Sequence, residues 1–143
     1  MEETFVLRGS VALSCKGAHV VLHAAEKHAK ALGVPQCIAV VDAAGDLLAF
    51  SRMDGARPGS IPIALTKARS AARRRRPTGE EGGGDVLHGV RLALAGQLEL
   101  TGIAGGLPIQ LDGATIGAVG VSSGTSEQDL EVAQAGIDAL LGR

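Results

Sequence analysis

Apolar residues recur at Ala18, Leu22, Ala25, Ala29 and Leu32, a 4-3-4-3 spacing that places them on one face of a helix. His19, His23, Glu26 and Lys30 repeat with the same period on the other side, and Val21 and His28 flank the apolar stripe. Ser14 supplies an N-cap, Gly33 a stop, and Pro35 bars continuation, so the pattern predicts a helix up to about Leu32. Residues 36–42 switch to a β-branched run, the turn 43–46 carries Gly45, and residues 47–52 return as a second strand. Ser60 caps the next predicted helix, with Pro62 in its first turn and Ile61, Leu65, Ala68 and Ala72 facing a core; the helix carries Lys67, Arg69 and the run Arg73–Arg76, and Pro77 ends it.

The glycine-rich stretch 78–84 separates that helix from a shorter one, which starts with Asp85 as its cap and runs to about Leu98. Asp112-Gly113 between the apolar runs 107–111 and 115–121 is a strong hairpin signal. Ser126 is read as the cap of a closing helix over 127–141, with Glu127 and Asp129 favourable at the positive end of its dipole. Residues 1–10 form an arm in which Phe5, Val6 and Leu7 suit an edge strand or a partner contact. The order helix, hairpin, helix, short helix, hairpin, helix predicts an α+β fold, an antiparallel sheet flanked by helices, in one domain over 1–143.

Composition narrows the class. With 143 residues the chain suits a single core, and 14 basic against 15 acidic residues argue against a nucleic-acid or anionic-membrane partner. Twenty-one glycines, two phenylalanines and no Trp or Tyr mean a core of small aliphatic side chains with closely approaching backbones. Cys15 and Cys37 cannot build a disulfide framework or a zinc site alone, and both are expected as buried, reduced thiols. No apolar run predicts a membrane span, and the acidic Met-Glu-Glu start is unlike a secretory signal, so a cytoplasmic location is expected.

Candidate chemistry is sparse. Arg73, Arg74, Arg75 and Arg76 form a run that a helix would splay by about 100° per residue, so one or two could grip a carboxylate or phosphate while the others face solvent or a second subunit. Residues 67–91 carry seven basic and three acidic groups, whereas 92–143 carry one basic and six acidic. No aromatic interleaves the arginines for base stacking. His19 and His23, at i and i+4, could share a metal or serve as a polar surface pair; only Glu26 is near enough in sequence to assist. His28 and His88 are read as structural, and neither glycine-rich segment has the sequence of a phosphate loop.

Two stretches together resemble a known family. Residues 38–58, with Val40-Val41-Asp42 entering the turn and Ser51-Arg52-Met53-Asp54-Gly55 leaving the hairpin, are similar to the first hairpin and loop of the GlcG/HbpS-like family, which includes the C-terminal domain of PduO. Residues 105–136, containing Gly105-Gly106-Leu107-Pro108 and Gly117-Ala118-Val119-Gly120-Val121-Ser122, resemble its second hairpin and last helix, and Lys67-Ala68-Arg69 with Pro77-Thr78 match between them. The resemblance implies a five-stranded antiparallel sheet flanked by helices (a profilin/PAS-like fold), homo-oligomers, and haem or another tetrapyrrole as cofactor in several members. This chain departs from the family at its four arginines, at Ser123 where a glycine is common, and in its acidic 79–84 loop.

Three functions follow as expectations. As a haem-binding protein, the chain would ligate iron through His23 or His19 and pair the propionates with Lys67 and the arginines of 73–76. As a cofactor-free isomerase, lyase or cyclase on a small anionic metabolite, it would hold a carboxylate with Arg74 and use Lys67 as base or Schiff-base amine, with the Ser122/Ser123 turn stabilising an oxyanion. As an accessory subunit, it would use the same motifs for turns and interfaces only. Turn geometry accounts for Asp42, Gly45, Asp54, Gly55, Asp112 and Gly113, which leaves Lys67, Arg52, the arginine run, His23, Thr78 and Ser123 as candidates. Small-ligand binding with haem as the leading ligand is the preferred expectation.

Overall fold

A computed structural model describes residues 9–79, 85–96 and 99–143. Helix α1 spans Cys15–Leu32, β1 Cys37–Asp42, β2 Leu47–Arg52, α2 Ser60–Arg74, α3 Asp85–Leu94, β3 Gly106–Leu111, β4 Ala114–Ser122 and α4 Ser126–Leu141. The strands form one antiparallel sheet in the order β2-β1-β4-β3.

The α+β architecture agrees with the sequence pattern, but the described residues contain four strands rather than five. Ahead of β3, two backbone N–H groups go to side chains rather than to a ladder. Thr101 N donates to Ser70 Oγ at 2.8 Å and Ile103 N to Thr101 Oγ1 at 3.1 Å. The predicted edge residues Phe5, Val6 and Leu7, and the glycines of 82–84, lie outside the described residues.

Both faces of the sheet are covered, which is why β1 is a continuous apolar run rather than an alternating one. Ile38, Val40, Val119 and Val121 point to one face and pack beneath α1 and α4 through Val21, Leu22, Ala25, Val132 and Ile137. Cys37, Ala39, Val41 and Ala118 point to the other and meet Ala64, Ala68, Ala71 and Ala72 of α2. Small residues set that second contact: a Cβ at Gly120 would collide with the backbone of Ala64 and Ala68, so the helix lies directly on the strand.

Local signals hold in part. Ser14 caps α1 by accepting from Gly17 N at 3.0 Å, and Gly33 ends it with φ 72°. Within α1, however, Val21 is fully buried while Leu32 is exposed. Ser60 is not a cap; it is the buried first residue of α2, and its hydroxyl is used elsewhere. The core face of α2 is Ser60, Ala64, Lys67, Ala68 and Ala71, with Ile61 exposed and Leu65 half-buried, because only small side chains fit against Gly120. Helix α3 stops at Leu94, short of the expected end, where Gly96 turns left-handed at φ 77°. The cap of α4 is Thr125, one residue before the serine expected, in a capping box with Gln128. Cys37 is buried as expected, but Cys15 is exposed at the start of α1.

Candidate functional site

Lys67 lies on the core face of α2 and is 2% exposed. Its Nζ donates to Val121 O at 2.9 Å and to Asp129 Oδ2 at 3.0 Å, so the side chain links α2 to α4 across the end of β4. Gly105, at φ 130°, makes the passage possible, since a Cβ there would press on Lys67 Nζ and on Val121 O. Asp129 is equally buried, and its Oδ1 accepts from Gln36 Nε2 at 2.8 Å and from Gly124 N at 3.0 Å. Burial pushes the Asp129 carboxyl above its ordinary value, against the opposing pull of Lys67 and of its hydrogen bonds. Gln36 Oε1 is buried without a hydrogen-bond partner.

Sequence reasoning named Lys67 but missed Gln36 and assigned Asp129 only to helix-start electrostatics. The missed signal was positional. Asp129 occupies the stripe Asp129, Val132, Ala133, Gly136 and Ile137 that α4 buries, and a carboxylate on a core face requires a partner.

Other candidates lie around this knot without facing a cavity together. Thr78 clasps Gly106: its N–H donates to Gly106 O at 2.9 Å, and its Oγ1 accepts from Gly106 N at 2.9 Å. Ser123 adopts φ 96°, and its hydroxyl accepts from Arg57 N and donates to Ser60 Oγ, both at 3.0 Å. These contacts hold the 53–59 loop against the β4–α4 junction.

The arginine run diverges. Arg69 and Arg73 lean on the β1–β2 turn, donating to Gly45 O at 3.3 Å and Ala44 O at 3.0 Å, and Arg73 also meets Glu99 at 3.1 Å. Arg74 is the half-buried last residue of α2, and Arg75 leaves the helix at φ 57° with its carbonyl accepting from Gln110 Nε2. Arg52 stands exposed at the end of β2, the edge strand on the opposite side of the sheet from β3.

His19 and His23 are exposed on α1 with ring centroids 5.9 Å apart. His19 Nδ1 lies 2.9 Å from Cys15 O. A carbonyl only accepts, so this contact forms with the tautomer that carries its proton on Nδ1 and leaves Nε2 as the open nitrogen; Cys15 Sγ also lies 3.6 Å from the same Nδ1. His28 bridges α1 to α4 through Glu131 at 2.9 Å. Among the described residues no group of three or more His, Cys, Asp or Glu side chains could hold a metal ion, and no helix is long and apolar enough to cross a membrane.

An antiparallel sheet between a two-helix layer and a single alanine-rich helix, with the arginine run and the α1 histidines on separate helices, defines a class of small α+β domains. The chain belongs to the HbpS-like family: the profile of haem-degrading, HbpS-like proteins matches residues 13–138. It is 40% identical over 134 residues to an uncharacterised 15.0 kDa protein of the dhaT–dhaS intergenic region of Citrobacter freundii, covering 86% of this chain and 93% of that protein. It is 39% identical to protein GlcG of Escherichia coli K12 over 116 residues, 81% of this chain and 85% of GlcG. The crystal structure of a PduOC:heme complex superimposes with a TM-score of 0.78 at 34% identity, covering 90% of this chain and 95% of that one.

Proposed function

We propose that this protein binds haem on the exposed face of α1, with His19 as iron ligand and His23 beside it. The observation that carries the reading is the 2.9 Å contact from His19 Nδ1 to Cys15 O. Metal-bound histidines commonly donate their second ring N–H to a carbonyl, which orients the ring and makes the free nitrogen a better ligand. The haem complex of the PduOC relative supports the same ligand class.

The residues fit the group unevenly. An iron ligand is present, and Lys16 and Lys27 on the exposed side of α1 suit the propionates. Lys67, expected in that role, is instead engaged with Val121 and Asp129. Neither histidine lines any described cavity, so the ligand would lie on an open face that a second copy of the chain could cover. Bound there, haem would supply redox or gas-ligand chemistry. The protein's own part is to orient one imidazole and neutralise two carboxylates.

The test is a hemin titration followed at the Soret band. A saturable band that His19→Ala abolishes and His23→Ala weakens is expected, with the far-ultraviolet circular dichroism of both variants unchanged. A non-saturating response indifferent to both substitutions would overturn the proposal. Loss in His23→Ala with retention in His19→Ala would reject the assignment of the ligand.

A further inference from the structure

One concavity lies away from the histidines. It measures about 510 Å³, within the range of small-molecule pockets, and sits where the C-terminal half of α1 and the loop after it meet the end of β2. Ala29, Val34, Pro35 and Met53 give it an apolar lining, and Glu26, Lys30, Arg52 and Asp54 stand around it.

These four charges are arranged unusually. Each segment brings one of each sign, Glu26 and Lys30 from α1, Arg52 and Asp54 from the end of β2 and the residues after it. Glu26 and Lys30 are at i and i+4, with the acid N-terminal, the order and spacing that favour a helix ion pair. Yet among the described residues none of the four side chains forms an ion pair or hydrogen bond, with each other or with anything else. Two such cations and two such anions around one apolar-lined hollow complement a ligand that itself carries both signs.

We infer that this hollow is a binding site for a small zwitterionic molecule of the amino-acid class. Its carboxylate is held by Arg52 and Lys30, and its ammonium by Glu26 and Asp54. Arg52 offers a planar fork for two parallel hydrogen bonds to a carboxylate, which sets the orientation. The apolar lining takes the ligand's methylene chain. The site is independent of the haem reading, since neither His19 nor His23 lines it.

Three probes of equal chain length separate the possibilities: ε-aminocaproate with one charge of each sign, adipate with two negative, and hexamethylenediamine with two positive. In amide-proton NMR titrations of the full chain, ε-aminocaproate should shift residues 26–35 and 51–54 saturably. The other two should bind at least about tenfold more weakly. Arg52→Ala and Glu26→Ala should each weaken ε-aminocaproate binding by about tenfold, and His19→Ala should leave it unchanged. The inference fails if ε-aminocaproate gives no saturable shifts, if adipate or hexamethylenediamine binds as well as it does, or if Arg52→Ala and Glu26→Ala both bind like the wild type.

Discussion

Lys67 and His19 both project from helices in this molecule, and the two surroundings differ in what they leave unused. Around Lys67 each charged group is matched from within: the ammonium by Val121 and Asp129, the carboxylate by Lys67, Gln36 and Gly124. On α1 the pattern is reversed. His19 spends one ring nitrogen on Cys15 O and keeps the other, while the four charges around the α1–β2 hollow form no ion pair or side-chain hydrogen bond among the described residues. The buried cluster therefore joins layers, since α2 and α4 lie on opposite faces of the sheet and the Lys67–Asp129 pair connects them. The exposed face retains bonding capacity that the described residues do not take up. The most conspicuous lysine in the sequence belongs to the architecture, and the plainer surface groups carry the candidate chemistry.

The contrast breaks most sharply at Lys67. Lys67→Met leaves Asp129 buried without its cation and should cost about 3–5 kcal/mol of stability in urea denaturation. The double variant Lys67→Met/Asp129→Leu should recover most of that loss. A stable single variant would show that the pair does not hold the layers together.

Gly120→Ala tests the close contact of α2 with the sheet. A methyl group against the backbone of Ala64 and Ala68 should destabilise by about 1–3 kcal/mol or more, whereas Gly113→Ala, with open space around it, should meet only its left-handed strain.

The pH dependence follows from Asp129. Its carboxyl is raised in the folded protein, so the native state holds a proton that the unfolded chain has released. The Asp129 contribution to stability should therefore fall as pH climbs from about the ordinary aspartate value of 3.8 through the raised one, and then level off. Thermal unfolding of the wild type against Asp129→Asn across that window isolates the slope, which the asparagine variant should lack.

Ser123→Gly sets two effects against each other. Glycine relieves the left-handed backbone at φ 96° but gives up the bonds to Arg57 and Ser60, so a net change under about 1 kcal/mol is expected, with faster amide exchange at Arg57. At the far end of the scale, His19→Ala should move the unfolding midpoint no more than an ordinary surface substitution while abolishing the hemin response.

The elements were legible where one short stretch holds the whole signal. The Ser14 cap and Gly33 stop of α1 and the Asp112-Gly113 turn (φ 50° and 80°) act over a few residues, and each appears as read, while the apolar stripe of α1 holds at Ala18, Leu22, Ala25 and Ala29 but gains Val21 and loses Leu32. Two cap assignments failed at the same kind of place. Ser60 and Ser126 are each the first helical residue: before Ser126 it is Thr125 that keeps the extended backbone and caps, whereas Gly59 before Ser60 is already in the helical region and no side chain caps α2, a choice of position that sequence alone does not settle.

The site was less legible because its meaning depends on which faces meet. Periodicity shows that Lys67 shares the face of Ala64, Ala68 and Ala71, and that Asp129 shares that of Val132, Ala133 and Ile137. The helical period allows both charges a core-facing position, although for α2 the stripe read from the sequence was Ile61, Leu65, Ala68 and Ala72 rather than the face that Lys67 shares. It does not pair them, because α2 and α4 pack on opposite faces of the sheet and meet only past the end of β4, through a gap that Gly105 leaves open.

The local pattern of the chain thus determined which segments are helices and strands, because these choices are made over a few residues by backbone sterics, capping and hydrophobic period. Tertiary structure alone decided which polar groups are matched from within and which stay open, because a charge finds its partner through space, across a separation of 62 residues in the case of Lys67 and Asp129.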